Sequence, residues 1–160
     1  MLVGAGAANA DPLPAPPTTV PASVGEALSK RPIDTLSPYE FRDLAIYLIA
    51  QQEKRKSLGL IGAVTAAPQT VASIGVSGTN VVSTGVTVDW PNVGVEITGE
   101  LFRPDNSLSY RDDRYCSADH SCTYPTHYTD CTCQHGWWQL YVVGWQSGQA
   151  SVADRADVLT

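Results

Sequence analysis

A segment that contains every cysteine of the chain constrains the fold more than any other feature. Residues 115–145 hold Cys116, Cys122, Cys131 and Cys133, all three histidines and three of the four tryptophans. Cross-links and large rings concentrated in so short a stretch are typical of a rigid domain centre, because they restrict the chain and bury much apolar area. We therefore expect the rest of the domain to be built around this segment.

The even number of cysteines favours a disulfide framework, for which three complete pairings can be drawn. A bridge between Cys131 and Cys133 is disfavoured, because side chains two residues apart on a strand point the same way and lie too far apart. The sequence predicts two bridges that cross the 122–131 loop, either Cys116–Cys133 with Cys122–Cys131 or Cys116–Cys131 with Cys122–Cys133. The first is favoured, since antiparallel strands joined by a loop bring near-symmetric positions together.

The same segment supplies an alternative set of ligands for tetrahedral zinc. The set comprises Cys116, His120, Cys122, His127, Cys131, Cys133 and His135. Zinc sites typically contain closely spaced cysteine pairs such as C-x-x-C, and none is present. Calcium ligation by Asp112, Asp113 and Asp119 would lack the twelve-residue loop pattern. We favour disulfides and expect neither a metal nor a cofactor.

The N-terminus resembles an export signal. Residues 1–10 are small and apolar and end in Ala8-Asn9-Ala10, which matches the A-x-A cleavage rule and leaves Asp11 as the first mature residue. Residues 11–21 contain five prolines, and proline fixes φ and removes a donor, so this leader is expected to be an extended, disordered tether. The sequence thus predicts a secreted, extracellular protein, in a style that looks bacterial.

Two helices are predicted within residues 22–59. A capping box at Ser23 and Glu26 begins the first helix, which Pro32 ends. The second has Ser37 as N-cap and Glu40 three residues later, and Gly59 is expected to follow its last turn. Its apolar stripe predicts packing against the protein's own sheet, and comprises Phe41, Leu44, Ala45, Leu48 and Ile49.

Residues 60–160 are predicted to form a β domain. Residues 58–67 are apolar and are interpreted as a buried linker or first strand. Alternation with a period of two predicts strands at 71–77, 81–89, 93–102, 108–116, 137–146 and 150–159, with one more in the cysteine-rich segment. Short strands separated by turn residues favour an antiparallel β-sandwich of about seven strands, Ig-like or jelly-roll in style, pinned by disulfides.

The strand at 137–146 is apolar on both faces, whereas a half-exposed strand alternates apolar and polar residues. Something must therefore cover its second face. The N-terminal helix is one candidate. The other is a ligand stacked on Trp137, Tyr141 and Trp145, whose rings would stand about 13 Å apart along a strand, a spacing suited to a glycan.

Charge and motifs restrict the function. Residues 60–160 hold no lysine and carry the whole net charge of −6, so nucleic-acid binding is not expected. No apolar stretch reaches the roughly 20 residues of a transmembrane helix. The leading hypothesis is a secreted, non-catalytic binding or structural module with a glycan or other surface partner. The alternatives are a small hydrolase that uses Asp119, His120, His127 or Asp130, and a subunit of an extracellular assembly; self-association is left open.

Overall fold

The computed structural model describes residues 18–59, 67–132 and 134–160. Within these ranges the chain forms two α-helices, one 3₁₀ turn and seven strands. They are α1 (Ala22–Ser29), the 3₁₀ turn (Ile33–Thr35), α2 (Pro38–Ser57), β1 (Gln69–Ser77), β2 (Asn80–Val88), β3 (Val95–Phe102), β4 (Leu108–Cys116), β5 (Cys122–Asp130), β6 (Trp137–Gln146) and β7 (Gln149–Leu159). The predicted seven strands and helical preface are confirmed. The signal remnant, most of the leader, most of the 58–67 linker and Cys133 lie outside the described residues.

Two antiparallel sheets form the predicted β-sandwich. One has the strand order β1-β2-β5 and the other the order β4-β3-β6-β7. Trp138, Ile97 and Tyr124 are fully buried in the core between the sheets. The Tyr124 ring enters this core over Gly99, where a Cβ atom would lie only 2.6 Å from the ring. A residue without a side chain is therefore required at that position of β3.

The helices cover the outer face of the four-stranded sheet. Phe41 and Leu44 of α2 are fully buried and belong to one apolar cluster with Phe102, Tyr141 and Trp145 of the sheet. The prediction that the apolar stripe of α2 packs on the protein's own sheet is confirmed. The molecule therefore has three layers: helices, the four-stranded sheet and the three-stranded sheet. Among the described helices, none combines the length and apolar character needed to cross a bilayer.

The ends of α2 are as predicted, whereas the start of α1 is not. The Ser37 hydroxyl accepts from Glu40 N at 3.2 Å, the Glu40 carboxylate accepts from Ser37 N at 3.0 Å, and Gly59 has a φ of 67°. The predicted capping box at Ser23 is wrong, because α1 begins at Ala22 and Ser23 already lies in its first turn. Packing positions this helix instead: Gly25 is buried, and a Cβ atom there would lie 2.1 Å from Tyr47.

The cysteine pairing also differs from the prediction. Cys116 at the end of β4 is bonded to Cys122 at the start of β5, with 5.5 Å between the Cα atoms. The two strands belong to different sheets, so the symmetric pairing of a hairpin does not apply. Cys131 lies beyond the far end of β5, nine residues or about 30 Å of strand from Cys122, and its sulfur donates to Thr79 O at 3.0 Å. The predicted bridges across the 122–131 loop are therefore wrong.

Leu44 provides a test of the helical layer. Leu44→Ala removes a fully buried side chain and leaves a cavity between α2 and the sheet, so the free energy of unfolding should fall by about 2–5 kcal/mol. Leu58→Ala, at a position 61% exposed beyond the end of α2, is the control and should change it by less than about 0.5 kcal/mol. Equal stability of the two variants in urea titrations would contradict the packing of α2 on the sheet.

The disulfide provides a second test. Cys116→Ser/Cys122→Ser should lower the free energy of unfolding by about 2 kcal/mol, since the bridge closes a loop with a sequence separation of only 6. Alkylation of the denatured, unreduced protein, followed by peptide mass analysis, should leave Cys116 and Cys122 unlabelled. Labelling of either residue would contradict the bridge.

Candidate ligand-binding face

In the middle strand of the three-stranded sheet, polar side chains face the core and apolar side chains face solvent over most of its length, the reverse of an ordinary sandwich strand. Ser83, Gly85 and Thr87 of β2 lie on its inward side with Val81 and are buried, whereas Val82, Val86 and Val88 point outward and are half-buried. Ordinary sandwich strands direct their apolar residues into the core. The outward side chains Val71, Val82, Val86 and Val88, on β1 and β2, are here called the valine face.

The inward polar residues are accepted by the core because each has a hydrogen-bond partner. Ser83 Oγ is bonded to the Tyr110 hydroxyl. Thr87 Oγ1 accepts from Trp90 Nε1 at 2.8 Å and donates to Gln69 O at 3.0 Å. A buried hydroxyl with partners has little desolvation cost. The core therefore tolerates the inverted pattern, and the apolar side of β2 is left outside.

The valine face is uncharged and is not covered by the helical layer. β1 and β2 contain no charged residue, in a chain whose formal net charge is −6. The described helices pack on the other sheet, and Val71 is 50% exposed. An exposed apolar patch on a small domain is a mark of an interaction site.

A shallow groove of about 340 Å³ lies on the same sheet and adjoins the valine face at Val82. One row across the sheet forms its centre: Gly75 pairs with Val82, and Val82 pairs with Tyr128. Gly75 leaves the floor open, since a Cβ atom there would meet nothing within 4 Å. Tyr128 is 68% exposed and stands on the opposite side of the row. Hydroxyl groups line the groove on both sides of the row, from Ser73, Ser77 and Thr84.

The aromatic row predicted on β6 is not an exposed platform. Tyr141 is fully buried and Trp145 is 9% exposed, both within the cluster that the helices cover. Of the three rings, Trp137 alone remains accessible, at 56% exposure. The prediction of a ligand stacked on Tyr141 and Trp145 is therefore wrong, because α2 occupies the place that the ligand would take.

The structure does not bring the four predicted hydrolase residues together. His120 lies in the β4–β5 loop, where its Nδ1 is 2.8 Å from Trp90 O, and Asp119 precedes it. Asp130 is at the opposite end of β5, about 26 Å of strand from Cys122. The pairs that the sequence offers are Asp119 with His120 and His127 with Asp130. His127 Nε2 contacts Asp112 Oδ2 instead, and Asp130 Oδ1 accepts from Thr132 N at 2.9 Å.

His127 has a carboxylate partner that the sequence did not single out for this role. Its Nε2 is 3.0 Å from Asp112 Oδ2, and its ring stacks on Tyr110 with 4.1 Å between the centroids. Ser83, the residue opposite His127 on β2, is buried, and its hydroxyl is bonded to Tyr110. The His127–Asp112 pair links edge strands of the two sheets. In the described ranges, no three His, Cys, Asp or Glu side chains group as metal ligands.

No family model matches the chain, and no curated protein matches it. Among solved structures, it is similar to a candidate β-galactosidase from Bacteroides fragilis, at 8% identity and a TM-score of 0.45, over 60% of this chain and 18% of that one. It is also similar to a glycosyl hydrolase family 2 member from Bacteroides cellulosilyticus, at 11% identity and a TM-score of 0.42, over 59% of this chain and 16% of that one. A third similar structure is a β-glucuronidase from Ruminococcus gnavus, at 7% identity and a TM-score of 0.36, over 57% of this chain and 16% of that one. Similarities of this size establish no function.

A buried carboxyl group lies beneath the helical layer. Glu100 on β3 is fully buried, and the Arg111 guanidinium is 3.4 Å from its Oε1. Arg111 also donates to Leu36 O and Ile33 O, at 3.0 and 2.9 Å, and so ties the segment between the helices to the sheet. Burial raises the pKa of Glu100 to about 9, and the neighbouring Arg111 offsets only part of this effect.

The Glu100 carboxyl should make the stability of the protein depend on pH. Its pKa is about 9 in the folded state and about 4.3 in an unfolded chain, so between these values the folded state holds a proton that the unfolded state has lost. The resulting stabilisation is complete below pH 4 and is lost as the pH rises through 9, by up to about 1.4 kcal/mol per pH unit. Glu100→Gln should remove this slope.

Urea titrations from pH 5 to 8 give the measurement, as the difference between the variant and the wild type. Glu53→Gln, at an exposed position of α2, is the matched control and should follow the wild-type pH dependence. Parallel curves for the wild type and Glu100→Gln would contradict the raised pKa.

Proposed function

We propose that the protein is a non-catalytic binding module that works outside the cell through its valine face. The observation that supports the proposal is the inverted pattern of β2 beyond Val81, which buries Ser83 and Thr87 and leaves the other three valines of the strand partly exposed to solvent. Removing exposed apolar area from water in a complex contributes a binding free energy of roughly 25 cal/mol per Å². An outward row of valines is therefore suited to contact with another surface.

The rest of the fold supports this role by holding the face rigid. β2 is hydrogen-bonded on both sides, to β1 and to β5. Tyr124 and Trp138 fill the core behind it without exposure to solvent. A binding surface on a packed sheet loses little conformational freedom when it binds, and this lowers the cost of association.

The extracellular location is part of the same proposal. The Cys116–Cys122 disulfide is consistent with an oxidising compartment, since such bridges persist outside the cytosol and are rare within it. The A-x-A pattern at Ala8 to Ala10 supports export from the sequence side.

A matched pair of charge substitutions tests the function. Val86→Glu puts a carboxylate in the middle of the valine face, and Val93→Glu puts the same group in an exposed loop, at a position 52% exposed. The purified proteins are incubated with bacterial cell-envelope fractions and sedimented. We expect the wild type and Val93→Glu to co-sediment equally and Val86→Glu to lose at least about tenfold in affinity, because a bound carboxylate on this face loses its hydration without a partner.

Thermal unfolding of both variants controls for misfolding, and only a folded Val86→Glu is informative; if it unfolds, Val86→Thr serves in its place. Equal sedimentation of folded Val86→Glu and wild type, or no sedimentation of the wild type, would overturn the proposed function.

A further inference from the structure

We infer that the groove beside Tyr128 takes a sugar ring of a neutral carbohydrate. The inference rests on the proposed function and names the ligand class for the groove that adjoins the valine face at Val82. The groove volume of about 340 Å³ is at the small end of the roughly 300–1,000 Å³ of ligand pockets, and this suits one or two rings of a longer chain.

The shape of the groove follows from the row Gly75, Val82 and Tyr128. Neighbouring strands lie about 4.8 Å apart, so the backbones of Gly75 and Tyr128 stand about 10 Å apart with Val82 between them. Gly75 has no side chain and Val82 has a short one, whereas Tyr128 projects from the sheet. The result is a floor with an aromatic wall on one side. A six-membered ring can lie on such a floor with its C–H face against the tyrosine.

Hydroxyl groups at the two ends of the groove match a polyhydroxylated ligand. Ser73 pairs with Thr84 on one side of the central row, and Ser77 lies on the other side. Among the described residues, neither Ser73 nor Ser77 has a hydrogen-bond partner for its side chain. The Thr84 hydroxyl donates to Tyr124 O at 2.8 Å and keeps its acceptor capacity. Each of these groups complements a sugar hydroxyl, which both donates and accepts.

Charge selects neutral carbohydrates over acidic ones. None of the residues that line the groove is charged, so a uronate or sulfate group would find no cation there. The nearest acidic residue along β5 is Asp130, two residues beyond Tyr128, and the chain as a whole carries −6. An anionic sugar would therefore be repelled, whereas a neutral sugar loses only hydrogen bonds that the groove replaces.

Affinity electrophoresis with neutral polysaccharides provides the test. The panel is soluble xylan, mannan, mixed-linkage β-glucan and starch, with polygalacturonate as the acidic comparison. Tyr128→Ala removes the aromatic wall, and Gly75→Val fills the floor at a position where an added Cβ meets open space. Both variants should lose at least tenfold in affinity for the neutral polysaccharide that retards the wild type, and Tyr128→Phe should keep the binding. The wild type should not be retarded by polygalacturonate.

Tyr115→Ala is the matched control, because Tyr115 is similarly exposed, at 61%, and lies on β4 of the other sheet. It should bind as the wild type does. Retardation by no neutral polysaccharide, or wild-type affinity in folded Tyr128→Ala and Gly75→Val, would overturn the carbohydrate inference. If Val86→Glu still abolishes envelope sedimentation in that case, the valine face binds another class of partner. If Val86→Glu has no effect either, both proposals fail.

Discussion

The architecture depends on one strand that must be buried on both faces. β6 directs Trp138, Leu140 and Val142 into the sandwich and Tyr141, Val143 and Trp145 to the opposite side. Two stacked sheets cover only one face of each, so a further layer is needed over the second apolar face. The 20-residue helix α2 supplies it with a stripe that is almost fully buried. The helical preface is thus part of the core and not an appendage to the β domain.

Covering the four-stranded sheet with helices leaves the three-stranded sheet with the only uncovered outer face among the described layers. β2 is the middle strand of this uncovered sheet. Its polar residues Ser83 and Thr87 have hydrogen-bond partners within the core, and three of its four valines remain outside. Without Tyr110 and Trp90 as hydrogen-bond partners, burying these two hydroxyl groups in the core would lower the stability of the fold. Specific hydrogen bonds in the core therefore make the proposed binding face available.

Buried polar groups also join the layers. Arg111 spans from Glu100 on the sheet to carbonyl groups before α2, and the Cys116–Cys122 bridge joins an edge of each sheet. A protonated Glu100 avoids the large cost of a buried charge, which explains why the site can lie beneath the helices. Except for the disulfide, these contacts connect residues that are 11 or more positions apart in sequence. No local sequence pattern predicts them.

Period-two alternation and turn residues were enough to place six of the seven strands, and Ser37 with Glu40 was enough to place the start of α2, because these signals act between residues close in sequence. The need to cover both faces of β6 was also readable from its composition. The sequence did not determine which strands pair within a sheet and which lie in different sheets. The cysteine pairing failed because β4 and β5 lie in different sheets, and the aromatic row failed because α2 covers it. The valine face and the partner of His127 emerged only in three dimensions, since inward and outward are properties of the packed sheets and not of a single strand.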